Sequence, residues 1–176
     1  MINYQNKIKA QQLEQELTII SEKIEGLKTP KGFLEFILYT ISELSANIKE
    51  HSKAKNIFIN IKINQKICFI KIVDQGIGFR KSYLLKNIFP KDDFAAIEFA
   101  LSGLSTKNLK ERGFDLYSIR KLTEELGGKM TIKSGLAETT IQEKKISFKN
   151  LPKKIQGVNI SLEMPVKKID FYKIIR

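Results

Sequence analysis

Two short runs of β-forming residues, 56–63 and 66–73, separated only by Asn64-Gln65, restrict this chain more than any other feature in it. In the first run Ile57, Ile59, Ile61 and Ile63 fall at every second position, so they share one face of a strand. Two such runs around a turn-forming Asn read as a β-hairpin. Its isoleucine face needs a second layer to cover it, and that layer must come from elsewhere in the chain.

The cover is legible on both sides. Upstream, Leu13, Leu17, Ile20, Ile24 and Leu27 follow a 4-3-4-3 spacing, which predicts a helix from about residue 8 to Leu27, ended by Gly26 and Thr29-Pro30. This stripe is short for a coiled coil; it packs on its own domain or, alternatively, forms a homodimer seam. A second helix is expected from about Lys31 to Ser52, with Phe33, Phe36, Ile37, Ile41, Leu44 and Ile48 as its apolar face. After the hairpin comes a loop-rich stretch with a short helical segment near Asp92 to Ser102. A further helix starts at about Gly113 and stops at Gly127-Gly128. Strands are expected at 129–134, at about 141–149 and at 158–164, the last closed by Pro165. Helices, hairpin, loop, helix and strands in this order indicate a two-layer α/β sandwich, helices on one face of a mostly antiparallel sheet.

The formal charge of +12 raises nucleic acid as a partner. A nucleic-acid binder gathers its cations on one face or in one tract. Here they are spread along the chain and mostly lysine, with arginine only at Arg80, Arg112, Arg120 and Arg176. An acidic protein partner or the phosphates of a nucleotide fit the same charge. No apolar run is long enough to span a membrane, and the polar, lysine-bearing residues 1–10 lack the apolar core of a signal peptide, so the cytoplasm is expected. The single cysteine, Cys68, sits in the apolar run Ile67-Cys68-Phe69-Ile70 and reads as a buried, inert thiol.

Three segments carry possible chemistry. On the second helix Glu43 and Asn47, four residues apart, present a carboxylate and an amide to one side, shared with Glu50 and partly with His51. A carboxylate there could accept a proton, and an amide oxygen is a hard ligand suited to Mg²⁺. Such a pair is also what a solvated helix face carries. At the end of the second strand, Asp74-Gln75-Gly76-Ile77-Gly78 combines an acceptor with two glycines at alternate positions. The Asp could take a hydrogen bond from an exocyclic amine such as adenine N6, and the glycines allow close backbone approach to a ligand. An ordinary β-turn uses the same residues. Third, Gly113 stands where a helix begins, and a helix amino terminus attracts phosphate. Ser105, Thr106 and Lys107, just upstream, could add hydroxyl and ammonium contacts.

In this order, a helix with Glu-x3-Asn, a hairpin ending in Asp-x-Gly-x-Gly, a loop and a glycine-opened helix, the chain resembles the GHKL ATPases that share the Bergerat fold: gyrase, Hsp90, histidine kinases and MutL. The string Glu43-Leu44-Ser45-Ala46-Asn47-Ile48-Lys49-Glu50-His51-Ser52 is most similar to the small serine kinases that act as anti-sigma factors. Residues 92–101 and 116–122 are similar to stand-alone ATP-binding proteins that work beside STAS-type partners. The resemblance runs from about residue 31 to Pro165 and divides the chain into an N-terminal helix, 1–29, and an ATP-binding domain, 30–176. It implies Glu43 as general base, Asn47 as Mg²⁺ ligand and Asp74 as the adenine reader. Gly76 and Gly78 would let the chain turn under the nucleotide, Gly113 would open the phosphate-binding helix, and about 79–112 would form a lid.

Two positions depart from the family pattern. Gly113-Phe114-Asp115 replaces the usual Gly-x-Gly, which brings a carboxylate toward the phosphates; Gly157-Val158 replaces Gly-Thr, which removes a hydroxyl beside the adenine pocket. The only histidine, His51, lies within the helix motif, so the first helix offers no phospho-acceptor histidine. Two functions remain. One is a serine/threonine kinase of the anti-sigma type, acting with ATP and Mg²⁺ on a STAS-like antagonist and holding a sigma factor. The other is a nucleotide-gated or degenerate ATPase that binds a protein partner without phosphotransfer.

Overall fold

The computed structural model describes residues 1–103 and 115–174. The expected hairpin is formed by β2 (Asn56–Ile63) and β3 (Ile67–Asp74), paired antiparallel from Ile57–Asp74 to Ile63–Cys68. Asn64 Oδ1 closes its turn by accepting from the amides of Lys66 and Ile67, both at 2.8 Å. Ile57, Ile59, Ile61 and Ile63 are all buried, as their spacing requires. Cys68 is buried beside them, and burial pushes its thiol up to about 12, so it stays protonated and unreactive.

Helices cover this face. α1 (Leu13–Glu25) buries Leu13, Ile20 and Ile24, and α2 (Phe33–Asn47) buries Phe33, Phe36, Ile37, Ile41 and Leu44. Each such side chain removed from water contributes about 1.5–3 kcal/mol before the entropy of ordering it is counted. Three residues of the α1 stripe, Leu13, Ile20 and Ile24, are thus buried within the chain itself. The chain continues from α2 through a single π-helical turn, Ile48–Ser52. α5 (Asp115–Glu125) adds Leu116, Ile119 and Leu122 to the same layer, and α6 (Phe171–Ile174) docks Phe171 edge-on against Tyr39 of α2 at 5.5 Å.

With β1 (Ile2–Lys9), β4 (Lys129–Gln142) and β5 (Lys145–Pro165), five strands form one sheet in the order β1-β2-β3-β5-β4, every pairing antiparallel. Three elements differ from the sequence expectation. The helix expected from about residue 8 begins at Leu13; before it, β1 (Ile2–Lys9) pairs with β2 along its whole length. Ile2, Tyr4 and Ile8 do share one face of it, but Asn6 interrupts the alternation and only Ile8 is buried, so the pattern is too weak to mark a strand. The stretch after β3, read as loop, opens with a helix, α3 (Gly78–Leu84), followed by α4 (Asp93–Leu101), which Asp92 caps by accepting from the Ala95 amide at 2.8 Å. Finally, the expected strand at 141–149 is interrupted: Glu143 and Lys144, both at positive φ, turn the chain between β4 (Lys129–Gln142) and β5 (Lys145–Pro165).

β4 is not straight. Thr131 Oγ1 lies 3.3 Å from Thr140 Oγ1, and Lys133 Nζ lies 2.7 Å from Glu138 Oε2. In an extended strand nine residues span about 30 Å, so the chain must double back between these pairs. It does so at Gly135, whose φ is 61° and where the register with β5 shifts. Asp93 of α4 secures the turn, its Oδ2 accepting from the Leu136 amide at 2.9 Å; a Cβ on Gly135 would sit 2.1 Å from that oxygen. The returning half carries Ala137, Thr139 and Ile141 inward, where α4 packs.

A Thr131→Cys/Thr140→Cys protein should therefore close an intrachain disulfide under mild oxidation, read as the mass loss of one hydrogen pair with Cys68 still free. Two titratable thiols persisting at 131 and 140 would mean that β4 runs straight.

Candidate functional site

β3 ends on Asp74, which faces Ile57 of β2 on one side and Val158 of β5 on the other. Three stretches of backbone meet there. The Ile77 amide donates to the Ser52 carbonyl at 2.8 Å, joining the loop after β3 to the end of the π turn. Gly76 lies so close to that carbonyl that a Cβ would stand 1.9 Å from it. From β5, Gly157 (φ 75°) presses on the Asp74 carbonyl, where a Cβ would stand 2.1 Å away. Side chains at these two positions would hold the segments apart. Gly76 thus serves chain-to-chain contact. Gly78, also at positive φ, starts α3 and lines the cavity itself.

The cavity lies between this junction and the helices. It encloses about 70 Å³, room for about five water-sized positions. Leu44, Ile48, Ile72, Phe79, Tyr83, Ala100, Leu116, Val158 and Ile160 supply apolar walls; Asn47, His51, Ser52, Asp74 and Ser82 supply polar groups. A mostly apolar pocket with a few placed polar groups suits a flat heteroaromatic ring.

Asp74 is the most deeply placed of those polar groups, only 3% exposed. Its Oδ1 accepts from the Gly76 amide at 2.8 Å, so the Asp-Gly turn allowed by the sequence exists. Burial pushes its carboxyl above the ordinary carboxylate range, while hydrogen bonds from the Gly76 and Val158 amides and from the Ser52 hydroxyl pull the other way. Turn former and cavity acceptor are one side chain.

Of the other expected site residues, Asn47 and His51 line the cavity, and His51 Nε2 stands 3.5 Å from Glu50 Oε2. By spacing, Asn47 is grouped with Glu43 and Glu50, and Leu44 with the apolar face of the helix. Asn47 and Leu44 both face the cavity, because the cavity is cut into the apolar face of α2 and its π turn. π turns recur at functional sites for the register change they introduce. Glu43 is half-buried one turn before Asn47 on α2 and does not line the cavity. Ser105, Thr106, Lys107 and Gly113 lie outside the described residues, as does the side chain of Asp115. Ser82, Tyr83 and Leu116 were not foreseen as lining. Phe79-x3-Tyr83 is helical spacing directly after Gly78, and that was the available signal.

No curated protein matches the chain. The family of histidine kinase-, DNA gyrase B- and HSP90-like ATPases matches residues 34–166, which takes in α2, the hairpin, the cavity and the closing strands. The chain therefore belongs to the histidine kinase-, DNA gyrase B- and HSP90-like ATPase family and is an ATP-binding domain of the GHKL type.

Proposed function

We propose that the chain binds ATP with Mg²⁺ in the cavity under Asp74 and acts as a regulatory protein resembling the anti-sigma-factor serine/threonine kinases, with a STAS-like protein as phosphoryl acceptor. The observation that carries this reading is the buried Asp74 carboxylate in an otherwise largely apolar cavity, beside the Asn47 amide. A carboxylate is an acceptor only, which complements the exocyclic amine of adenine, and the apolar walls suit the faces of the ring. The Asn47 amide oxygen is a hard donor of the kind Mg²⁺ takes alongside phosphate oxygens. These residues fit the nucleotide.

When bound, Mg-ATP supplies a γ-phosphoryl group whose charge the metal neutralises. The chain's own part is positioning and proton transfer. Asp74 orients the base, the walls exclude water from it, and Asn47 places the metal. Glu43, one turn from Asn47 and outside the cavity wall, would take the proton from an attacking hydroxyl, whose oxygen would bond to phosphorus as the bond to the ADP oxygen breaks.

One observation favours a second reading, a protein-binding module without phosphotransfer. Val158 forms an apolar wall beside Asp74, at the position where the family resemblance implies the hydroxyl of a Gly-Thr pair. Fewer polar contacts to the base weaken the hold on nucleotide.

Calorimetric titration with Mg-ATP distinguishes these. Asp74→Asn should lower affinity by about tenfold or more, the worth of a hydrogen bond to a charged group; unchanged affinity refutes the base assignment. Glu43→Ala should bind within about threefold of the parent and lose transfer of labelled γ-phosphate to STAS-like acceptors by about 10²-fold or more. Transfer that survives in Glu43→Ala removes that residue as the base, and its absence in the parent selects the second reading.

The raised carboxyl of Asp74 also predicts a pH effect. The folded state holds the Asp74 proton more tightly than the unfolded state. The group therefore costs stability at neutral pH, and the cost is relieved as pH falls through the folded value toward the unfolded one near 3.9. Wild type should gain stability relative to Asp74→Asn over that descent in chemical melts. A constant difference would mean that Asp74 titrates as an ordinary exposed carboxylate.

A further inference from the structure

Against the loop after Asp74, at Gly76–Gly78, the surface opens into a groove of about 750 Å³. It begins where the β3–β5 ladder stops, at Asp74–Val158, so that β5 continues through Lys154–Gly157 without β3 beside it. Gln156 Nε2 ties that stretch to the Gln75 carbonyl at 2.9 Å. Arg80, Lys81 and Leu84 of α3 form one wall and Lys154 and Ile155 of β5 another. Gly78 lines both the groove and the cavity.

The charge of this groove is one-sided. Three cations line it against a single carboxylate, Asp93, one of whose oxygens is taken up by the Leu136 amide. Arg80 is anchored by donating to the Lys91 carbonyl at 3.0 Å, which brings the chain at Lys91 alongside it. Lys81 and Lys154 are exposed and in no ion pair among the described residues. The connection from α3 to α4 is also unusually apolar for a surface: Leu84, Leu85 and Phe89 are 40%, 54% and 74% exposed. Cations around exposed large apolar side chains mark an interaction surface.

We infer that this groove docks an acidic protein segment carrying an apolar side chain, the carboxylates meeting Arg80, Lys81 and Lys154 and the apolar group seating against Leu84 and the neighbouring connection. The inference stands on the groove alone and holds whether or not nucleotide is turned over in the cavity. Nucleic acid fits less well: it needs a basic track along its phosphates, whereas here the cations are few and sit beside Leu84, Leu85 and Phe89.

The test is fluorescence anisotropy with a labelled peptide of alternating Glu and Leu. Lys81→Glu/Lys154→Glu should weaken binding by about tenfold, as reversal of charges facing a complementary partner does. The control Lys62→Glu/Lys129→Glu makes the same change in net charge at two exposed sites outside the groove and should bind as the parent does. Leu84→Ser should weaken the peptide severalfold without altering the charge, and Mg-ATP titration should be the same in every variant. Equal loss in both lysine pairs would reduce the effect to net charge and overturn the proposal. So would failure of the parent to bind the peptide, or displacement of the peptide by an equally charged DNA or RNA oligonucleotide.

Discussion

The closing of three backbone segments around Asp74 is the constraint on which the rest depends. Ser52 ends the helix layer, Asp74 to Gly78 leave the sheet, and Gly157 lies in the strand beside β3. Their separations admit no Cβ at Gly76 or Gly157. Because the segments come from three different elements, fixing them relative to one another fixes how α2, the hairpin and β5 sit together. The cavity and the cationic groove both open against that junction, Gly78 lining each. A site built this way inherits the rigidity of the sheet, which suits recognition of a flat ring, where small displacements lose hydrogen bonds.

Much of this was legible because burial leaves a period in the sequence. The isoleucines of β2, the apolar face of α2 and the stripe of α1 all read correctly, since each has one wet face and one dry. β1 escaped because it is an edge strand with one buried residue, held by backbone hydrogen bonds that any side chain permits. The fold-back of β4 escaped for a different reason. Its signal is one glycine, and what makes the turn is the Asp93 carboxylate from a helix far away in the chain. Long-range partners leave no local pattern.

The site was legible in a more uneven way. Asp74 stood out by chemistry, as a charged residue ending an apolar run. Asn47 was singled out by helical spacing together with Glu43, yet it lines the cavity beside Leu44 and Ile48 of the apolar face while Glu43 does not. Leu44 and Ile48 are core residues whose outer surface also walls a cavity. A one-dimensional pattern cannot separate a residue that faces another side chain from one that faces a ligand.

What sets Asp74 apart is its cost. A buried carboxylate with no cationic partner among the described residues works against folding, and its Gly76, Val158 and Ser52 contacts offset that only in part, since burial remains the larger influence on its carboxyl. Closing an Asp-Gly turn does not call for a charge, as asparagine makes the same turn. Retaining the ionisable group makes sense when a ligand donates to its second oxygen, so that the desolvation already incurred in folding becomes preorganisation for binding. The acceptor is then held, desolvated and aimed before the ring arrives. The Val158 side chain alongside carries no polar atom and its amide already donates to Asp74, so in the proposed reading the Asp74 carboxylate is the main acceptor open to the base at this end of the cavity.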